Sequence, residues 1–227
     1  MLARMHLSAA ACRIVPYAAY LSFLALEELV AALGLAQTHG LDMRWIYPAK
    51  AIAVALALAW LWSRYEELRP APRLAHALLA LGAGVVVWWL WISLDMSWAT
   101  LGSGRGYDPR GADGAINPVL AGFRIFGAML VVPVMEELFW RSFVMRWIVR
   151  PDFMAIAPAA VRLFPFVVTA VLFGFQHHLW LAGIVAGVVY GALYVRTGNL
   201  WVPVLAHAVT NGALGAWVLA SGQWSFW

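Results

Sequence analysis

Two adjacent carboxylates and an arginine interrupt an apolar stretch in the second half of the chain, in the sequence EELFWR from Glu136 to Arg141. A charged side chain near the centre of a bilayer costs ~2.5 to 3.5 kcal/mol on insertion scales, so acids in such a position indicate a functional site. Residues four apart share one face of a helix, whereas neighbours point about 100° apart. Glu137 is therefore predicted to pair with Arg141, which leaves Glu136 facing the bundle interior without a local counterion.

Two further apolar segments carry polar side chains at the same spacing of four. Phe173 and His177 share one helix face, and His207 and Asn211 share a face of another helix. Counted along the helices from one membrane boundary, Glu136, His207 and Asn211 lie at similar depths, and a tilted helix brings His177 level with them. An unpaired carboxylate beside imidazole groups is suited to general base catalysis.

The composition is that of an integral membrane protein. Of the 227 residues, 64% are hydrophobic and 11% are charged, against roughly 25% charged residues in soluble domains. The formal net charge of +4 comes from basic residues scattered singly between apolar segments. This scatter is typical of topology signals, so we predict contact with membrane lipid and no nucleic-acid partner.

The apolar segments predict an all-α, polytopic transmembrane helix bundle of about seven spans, or eight if the ends also cross. The candidate spans are residues 14–37, 45–62, 73–95 and 118–146, a hairpin of two short helices turning near 178–182, and a last span from Leu200. Residues 95–117 contain five glycines, a proline and several charges, which predicts an extramembrane loop.

We interpret residues 1–227 as a single integral membrane domain whose motif-bearing core is 118–211. If the amino terminus is inside, ten Lys and Arg residues fall at or near the inner side and five at the other side. This distribution predicts a cytoplasmic amino terminus.

A second pair of intramembrane acids, Glu27 and Glu28, has no arginine partner on its own helix, because Ala32 stands four residues after Glu28. Lys50, on the antiparallel neighbouring span, is predicted to reach the same depth as Glu27. A structural ion pair that involves Glu27, Glu28 and Lys50 is favoured over a second substrate or proton site.

Three motifs follow one another on three hydrophobic helices. EELFWR fits an EExxxR signature, FGFQH from Phe173 to His177 fits FxxxH, and HAVTN from His207 to Asn211 fits HxxxN. In this order and spacing, the chain resembles the CAAX prenyl endopeptidase and bacteriocin-processing family of intramembrane glutamic proteases. The resemblance covers about 118–211, including RTGNLWVPVLAH. The stretch WIYPAKAIAVALALAWLW is similar to a bacterial subgroup associated with exosortase-type protein sorting.

This resemblance implies hydrolysis of a peptide bond in a membrane-associated protein or peptide with an embedded or lipidated tail, at a bacterial inner membrane. It implies that Glu136 activates a water molecule as general base and that His207 helps to hold and deprotonate this water. His177 and Asn211 are then the donors to the developing oxyanion. Glu137 and Arg141 support the site, and no metal or other cofactor is implied.

Three alternatives stay open from the sequence alone. One glutamate and two histidines also form a recognised zinc ligand set with an open fourth position, which would make the protein a zinc-dependent membrane protease. The second alternative is a non-enzymatic transporter or assembly factor that uses the buried charges, although the inverted repeats of transporters are not visible. In the third, the polar groups only join helices, at roughly 1 kcal/mol for each hydrogen bond.

Overall fold

The computed structural model describes residues 7–102 and 106–227, so two of the basic residues counted above as topology signals, Arg4 and Arg105, lie outside it. Seven helices carry the fold. They are α1 (Ala9–Ala32), α2 (Ile46–Leu61), α3 (Leu74–Ser93), α4 (Pro118–Trp147), α5 (Leu163–Phe175), α6 (Trp180–Thr197) and α7 (Trp201–Ser221).

Six of these helices are long and apolar enough to cross a membrane, when α2 is counted with its flanking turns as Met43–Arg64. The remaining one, α5, is an apolar helix of 13 residues. The prediction of an all-α polytopic bundle is confirmed, and within the described ranges the chain forms helices and no β-strand. Short helical turns, such as Leu35–His39 and Phe153–Ala155, connect the long helices.

The first helix ends earlier than the hydrophobic pattern predicts. The apolar run continues to residue 37, but α1 stops at Ala32, and Gly34 adopts a left-handed backbone with a φ of 65°. Glycine enters this conformation without a steric penalty and commonly ends helices. The boundary was wrong because a pattern of apolar residues does not show where the backbone turns.

The predicted hairpin after residue 162 is present, with its turn a few residues earlier than expected. α5 ends at Phe175 and α6 begins at Trp180. The two helices pack closely because glycines face the partner backbone: a Cβ on Gly174 would lie 2.8 Å from the Trp180 carbonyl oxygen, and one on Gly187 would lie 2.9 Å from that of Ala170. This tight turn directs His177 towards the bundle.

Helix α4 alternates between α-helical and π-helical turns. Its π-helical stretches are Gly127–Val131 and Glu137–Val144. Pro133 has no N–H to donate along the helix, and the Val132 N–H bonds to the Gly127 carbonyl five residues back. Such π-helical turns occur frequently at functional sites, and here the second one holds the EELFWR motif from Glu137 onward, with Glu136 at the end of the α-helical turn before it.

Helices α3 and α7 approach through a glycine that has no room for a side chain. A Cβ on Gly84 would lie 2.5 Å from the Ala206 carbonyl oxygen and 2.7 Å from Val209 Cβ. The Thr210 hydroxyl donates a hydrogen bond across this crossing, and its Oγ1 lies 2.9 Å from the Gly84 carbonyl oxygen. Small residues at such crossings let membrane helices pack by van der Waals contact.

We expect Gly84→Ala to lower the melting temperature of the detergent-solubilised protein, because the backbone oxygen of Ala206 cannot move aside as a side chain could. Overpacking of this kind costs ~1 to 3 kcal/mol. Gly82→Ala on the same helix is the matched control, since nothing lies within 4 Å of its added Cβ. Equal melting temperatures for the two variants would show that the α3–α7 crossing is not as close as described.

Candidate active site

A cavity of about 190 Å³ lies within the bundle. Glu136 of α4, His177 in the turn after α5, and His207 and Asn211 of α7 all line it. The structure therefore brings together the four polar residues that the sequence predicts as a site. Their roles in catalysis stay predictions.

Glu137 lies beside this cavity, and one of its carboxylate oxygens accepts hydrogen bonds from two other residues. Its side chain is 0% exposed, and its Oε1 accepts a hydrogen bond of 3.0 Å from Arg141 Nη1. The same oxygen lies 3.0 Å from His207 Nδ1. The carboxylate that contacts His207 directly is thus Glu137, a contact that the sequence did not predict.

Aromatic rings enclose the Glu137 network. The Arg141 guanidinium lies 4.1 Å from the ring centroid of Phe173 and 5.5 Å from that of Tyr190. The Tyr190 ring also stacks on His207, with a centroid separation of 4.9 Å. These rings surround the buried ion pair, in which Glu137 Oε2 and Arg141 Nη2 have no hydrogen-bond partner in the described structure, so the cost of desolvating the two charges is only partly offset.

The hydrogen bonds of the two histidines define which ring nitrogen carries a proton. His177 Nδ1 lies 2.8 Å from the Phe173 carbonyl oxygen, and a carbonyl can only accept, so this nitrogen donates. His207 Nδ1 donates in the same way to the Glu137 carboxylate. In a neutral imidazole the other nitrogen is then an acceptor. Both rings line the cavity with Nε2 as the nitrogen not used in these bonds.

Gln176 is a site residue that the sequence analysis missed. Its Oε1 accepts hydrogen bonds from the Tyr17 hydroxyl and from Trp140 Nε1, the latter at 3.2 Å. The amide nitrogen consequently faces Glu136 and lies 3.3 Å from its Oε1. A polar residue at the end of an apolar helix, next to His177, was the signal that could have revealed it.

Glu136 is left with one oxygen available for chemistry. The residue is 6% exposed, and its Oε2 is buried without a hydrogen-bond partner in the described structure. Because a buried carboxylate oxygen requires a donor, a water molecule or substrate group in the cavity is the natural partner. Gln176 fixes the orientation of the carboxylate through the other oxygen.

Asn211 is oriented by the irregular helix opposite. Its Nδ2 donates a 2.7 Å hydrogen bond to the Ala128 carbonyl oxygen. This carbonyl has no donor within α4, because Val132 N–H bonds to Gly127 and the next residue along, Pro133, has no N–H. An amide nitrogen has two hydrogens, so one remains for a group in the cavity.

The second predicted ion pair lies at the interface of α1 and α2. Lys50 Nζ is 3.3 Å from Glu27 Oε1, and Lys50 is buried. Glu28 stands at an exposed position of α1.

The alternative zinc set was Glu136, His177 and His207. These three residues do not assemble as a metal-binding group, and no other group of three His, Cys, Asp or Glu residues does so in the described parts of the chain.

Residues 118–213 match a protein-family model described as type II CAAX prenyl endopeptidase Rce1-like. The predicted family resemblance is confirmed. The Rce1-like segment begins at the first residue of α4 and ends within α7, so it contains all four cavity residues of the predicted site. Over this segment the chain is similar to membrane-embedded proteases of the CAAX type. No curated protein and no solved structure gives a significant match to the chain.

Helices α1–α3 lie outside the Rce1-like segment but complete the site. Tyr17 of α1 holds Gln176, and Tyr47 of α2 and Trp91 of α3 line the cavity. Trp91 also contacts the His177 ring edge to face, with centroids 5.2 Å apart. The amino-terminal half therefore shapes the surroundings of the family motifs.

The adjacent acids are expected to differ in their effect on stability. Glu137→Gln removes the charge that pairs with Arg141, and breaking a buried ion pair costs ~3 to 5 kcal/mol. Glu136→Gln replaces an oxygen that has no protein partner, so its melting temperature should stay close to that of the wild type. Thermal unfolding of the two purified variants measures the difference, and a larger loss for Glu136→Gln would contradict the assignment of Glu137 as the bracing residue.

Proposed function

We propose that this chain is an intramembrane endopeptidase that hydrolyses a peptide bond of a membrane-associated substrate through a water molecule activated by Glu136. The observation that carries the proposal is that Glu136, whose buried Oε2 has no partner in the described structure, lines one cavity together with His177, His207 and Asn211. The match to a CAAX protease family over this segment supports it.

In the proposed reaction, a water molecule occupies the cavity beside Glu136 Oε2. Glu136 accepts one proton as the water oxygen forms a bond to the carbonyl carbon of the substrate, and the carbonyl oxygen becomes an oxyanion. The C–N bond then breaks, and the proton held by Glu136 passes to the leaving amine. The products are an amine and a carboxylic acid, which keeps the second proton of the water until it dissociates to solvent, and the carboxylate of Glu136 is regenerated.

The oxyanion requires donors that are already in place. Asn211 supplies one, because its amide nitrogen is fixed by Ala128 and keeps a second hydrogen. A preorganised donor of this kind contributes ~3 to 4 kcal/mol to transition-state stabilisation. Asparagine also does not titrate, so this donor is present at every pH at which the protein is folded.

The two histidines share the remaining work, and their hydrogen bonds favour exchanging the roles expected from the sequence. His207 donates to the Glu137 carboxylate, which stabilises an imidazolium that can donate from Nε2 to the oxyanion. His177 donates to a neutral carbonyl, so its Nε2 is an acceptor suited to holding the attacking water. We propose this assignment, with Glu136 as general base in either case.

The cavity size limits which part of the substrate it can hold. A volume of about 190 Å³ corresponds to roughly six water molecules at ~30 Å³ each. This space holds a peptide bond and one water molecule, but not a long lipid chain. We propose that the embedded or lipidated tail of the substrate lies outside the cavity, in contact with the bilayer.

Glu136→Gln is expected to reduce cleavage by about 10²- to 10⁴-fold, the contribution of a positioned general base. The protein is reconstituted in liposomes and supplied with internally quenched peptides ending in a CAAX sequence, in farnesylated and unmodified forms, and with a hydrophobic sorting-tail peptide. Glu28→Gln is the control, because Glu28 is an acid of the same class at an exposed position of α1. Equal cleavage by wild type and Glu136→Gln would refute the proposal.

The same preparation separates the alternative functions. The glutamate mechanism predicts that activity survives a chelator, whereas stoichiometric zinc in the purified protein together with loss of activity on chelation would favour the zinc-dependent protease. A transporter would instead move protons or anions across the liposome membrane without cleaving any of these peptides, and this flux would depend on the buried charges.

A further inference from the structure

Arg124 of α4 lies between two cavities. It lines the cavity that contains Glu136, and it also lines a second cavity of about 370 Å³. Tyr20, Tyr47 and Trp227 are shared by the two cavities in the same way. The second cavity extends to loop residues that include Met43 and Gly106. Arg124 therefore stands where a peptide that runs from the loops to the candidate active site would pass.

The other charged side chains that line the second cavity have partners of opposite charge. Lys50 pairs with Glu27 at 3.3 Å. Two more pairs involve loop residues, Arg44 with Asp42 at 2.7 Å and Asp108 with Arg110 at 2.6 Å. No carboxylate among residues 7–102 and 106–227 lies within ion-pair distance of Arg124, whose guanidinium is the cation in this cavity without a counterion.

Aromatic rings hold the Arg124 guanidinium in place. Its central carbon lies 4.4 Å from the ring centroid of Tyr47, 5.6 Å from that of Tyr107 and 5.9 Å from that of Trp227. Nε is buried and has no hydrogen-bond partner in the described structure. Rings fix the plane of the guanidinium but do not satisfy its five N–H donors.

We infer that Arg124 forms a carboxylate-binding subsite beside the candidate active site, which selects peptides with an anionic group close to the scissile bond. This inference rests on the proposed function. A planar guanidinium matches a carboxylate through two parallel hydrogen bonds. Binding there supplies the missing counterion and places the peptide between the two cavities, with its next residues directed towards Glu136.

Two parts of a peptide can provide this carboxylate: its free carboxyl terminus or an acidic side chain. Matched peptides distinguish these sources. One pair differs only at the carboxyl terminus, as free acid or amide, and another pair has a free acid terminus but carries Asp or Asn near the cleaved bond. All are internally quenched and are cleaved by the full-length protein in liposomes.

The expected result is a preference for the anionic member of one pair by about 10- to 100-fold in kcat/KM, the range for a hydrogen bond to a charged group. Arg124→Gln should abolish this preference. Arg124→Lys should retain part of it, because lysine keeps the positive charge but cannot form two parallel hydrogen bonds to a carboxylate. Arg44→Gln is the matched control, because it removes a cation from the same cavity that already has a partner, and it should leave the preference intact.

A binding measurement keeps this test separate from that of the proposed function. Fluorescent versions of the same peptides are titrated into the Glu136→Gln protein and into the double variant Glu136→Gln, Arg124→Gln. If the anionic peptide binds more tightly to the first protein and this difference is lost in the second, the result supports the subsite even if no peptide is cleaved. Equal cleavage and equal binding of both members of each pair would overturn the subsite and leave the protease proposal standing. A preference that persists in Arg124→Gln would likewise overturn it.

Discussion

The carboxylate of Glu137 is the group on which the arrangement of the site depends. It accepts from Arg141 on its own helix and from His207 on α7, so one buried charge joins two helices and orients a ring. Taking such a group out of water is expensive, and the cost is only partly offset here, because Glu137 Oε2 has no hydrogen-bond partner in the described structure. The network therefore acts less as a source of stability than as a device that fixes one register between α4 and α7.

This register has a second point of contact one turn along α7. Asn211 donates to the Ala128 carbonyl, which is left without a donor because of Pro133 and the π-helical turn before it. A regular helix at α4 would have used this carbonyl internally. The irregularity of α4 thus provides the polar group that positions Asn211, and Glu136 lies on the same helix between the two points of contact.

Much of the site could be predicted from sequence because its information is local. Spacing of four residues placed Glu137 with Arg141 and His207 with Asn211, and the absence of a counterion for Glu136 on its own helix followed from the same geometry. The apolar segments gave the all-α bundle, apart from boundaries such as that of α1, where Gly34 turns the backbone. The contacts that were missed join distant segments. Gln176 accepts a hydrogen bond from Tyr17, 159 positions away along the chain, and His207 contacts Glu137 of another helix. No spacing within one helix reveals such contacts.

The central claim is that a water molecule in this cavity is held by Glu136 and an imidazole and is the nucleophile. An experimental structure of the lipid-embedded protein, at a resolution that shows ordered water, tests it most directly. Such a structure should show a water oxygen about 2.6 to 3.2 Å from the Glu136 carboxylate and within the same distance of one histidine Nε2. A cavity without ordered water, or a metal ion bound by Glu136 and the two histidines in its place, would contradict it.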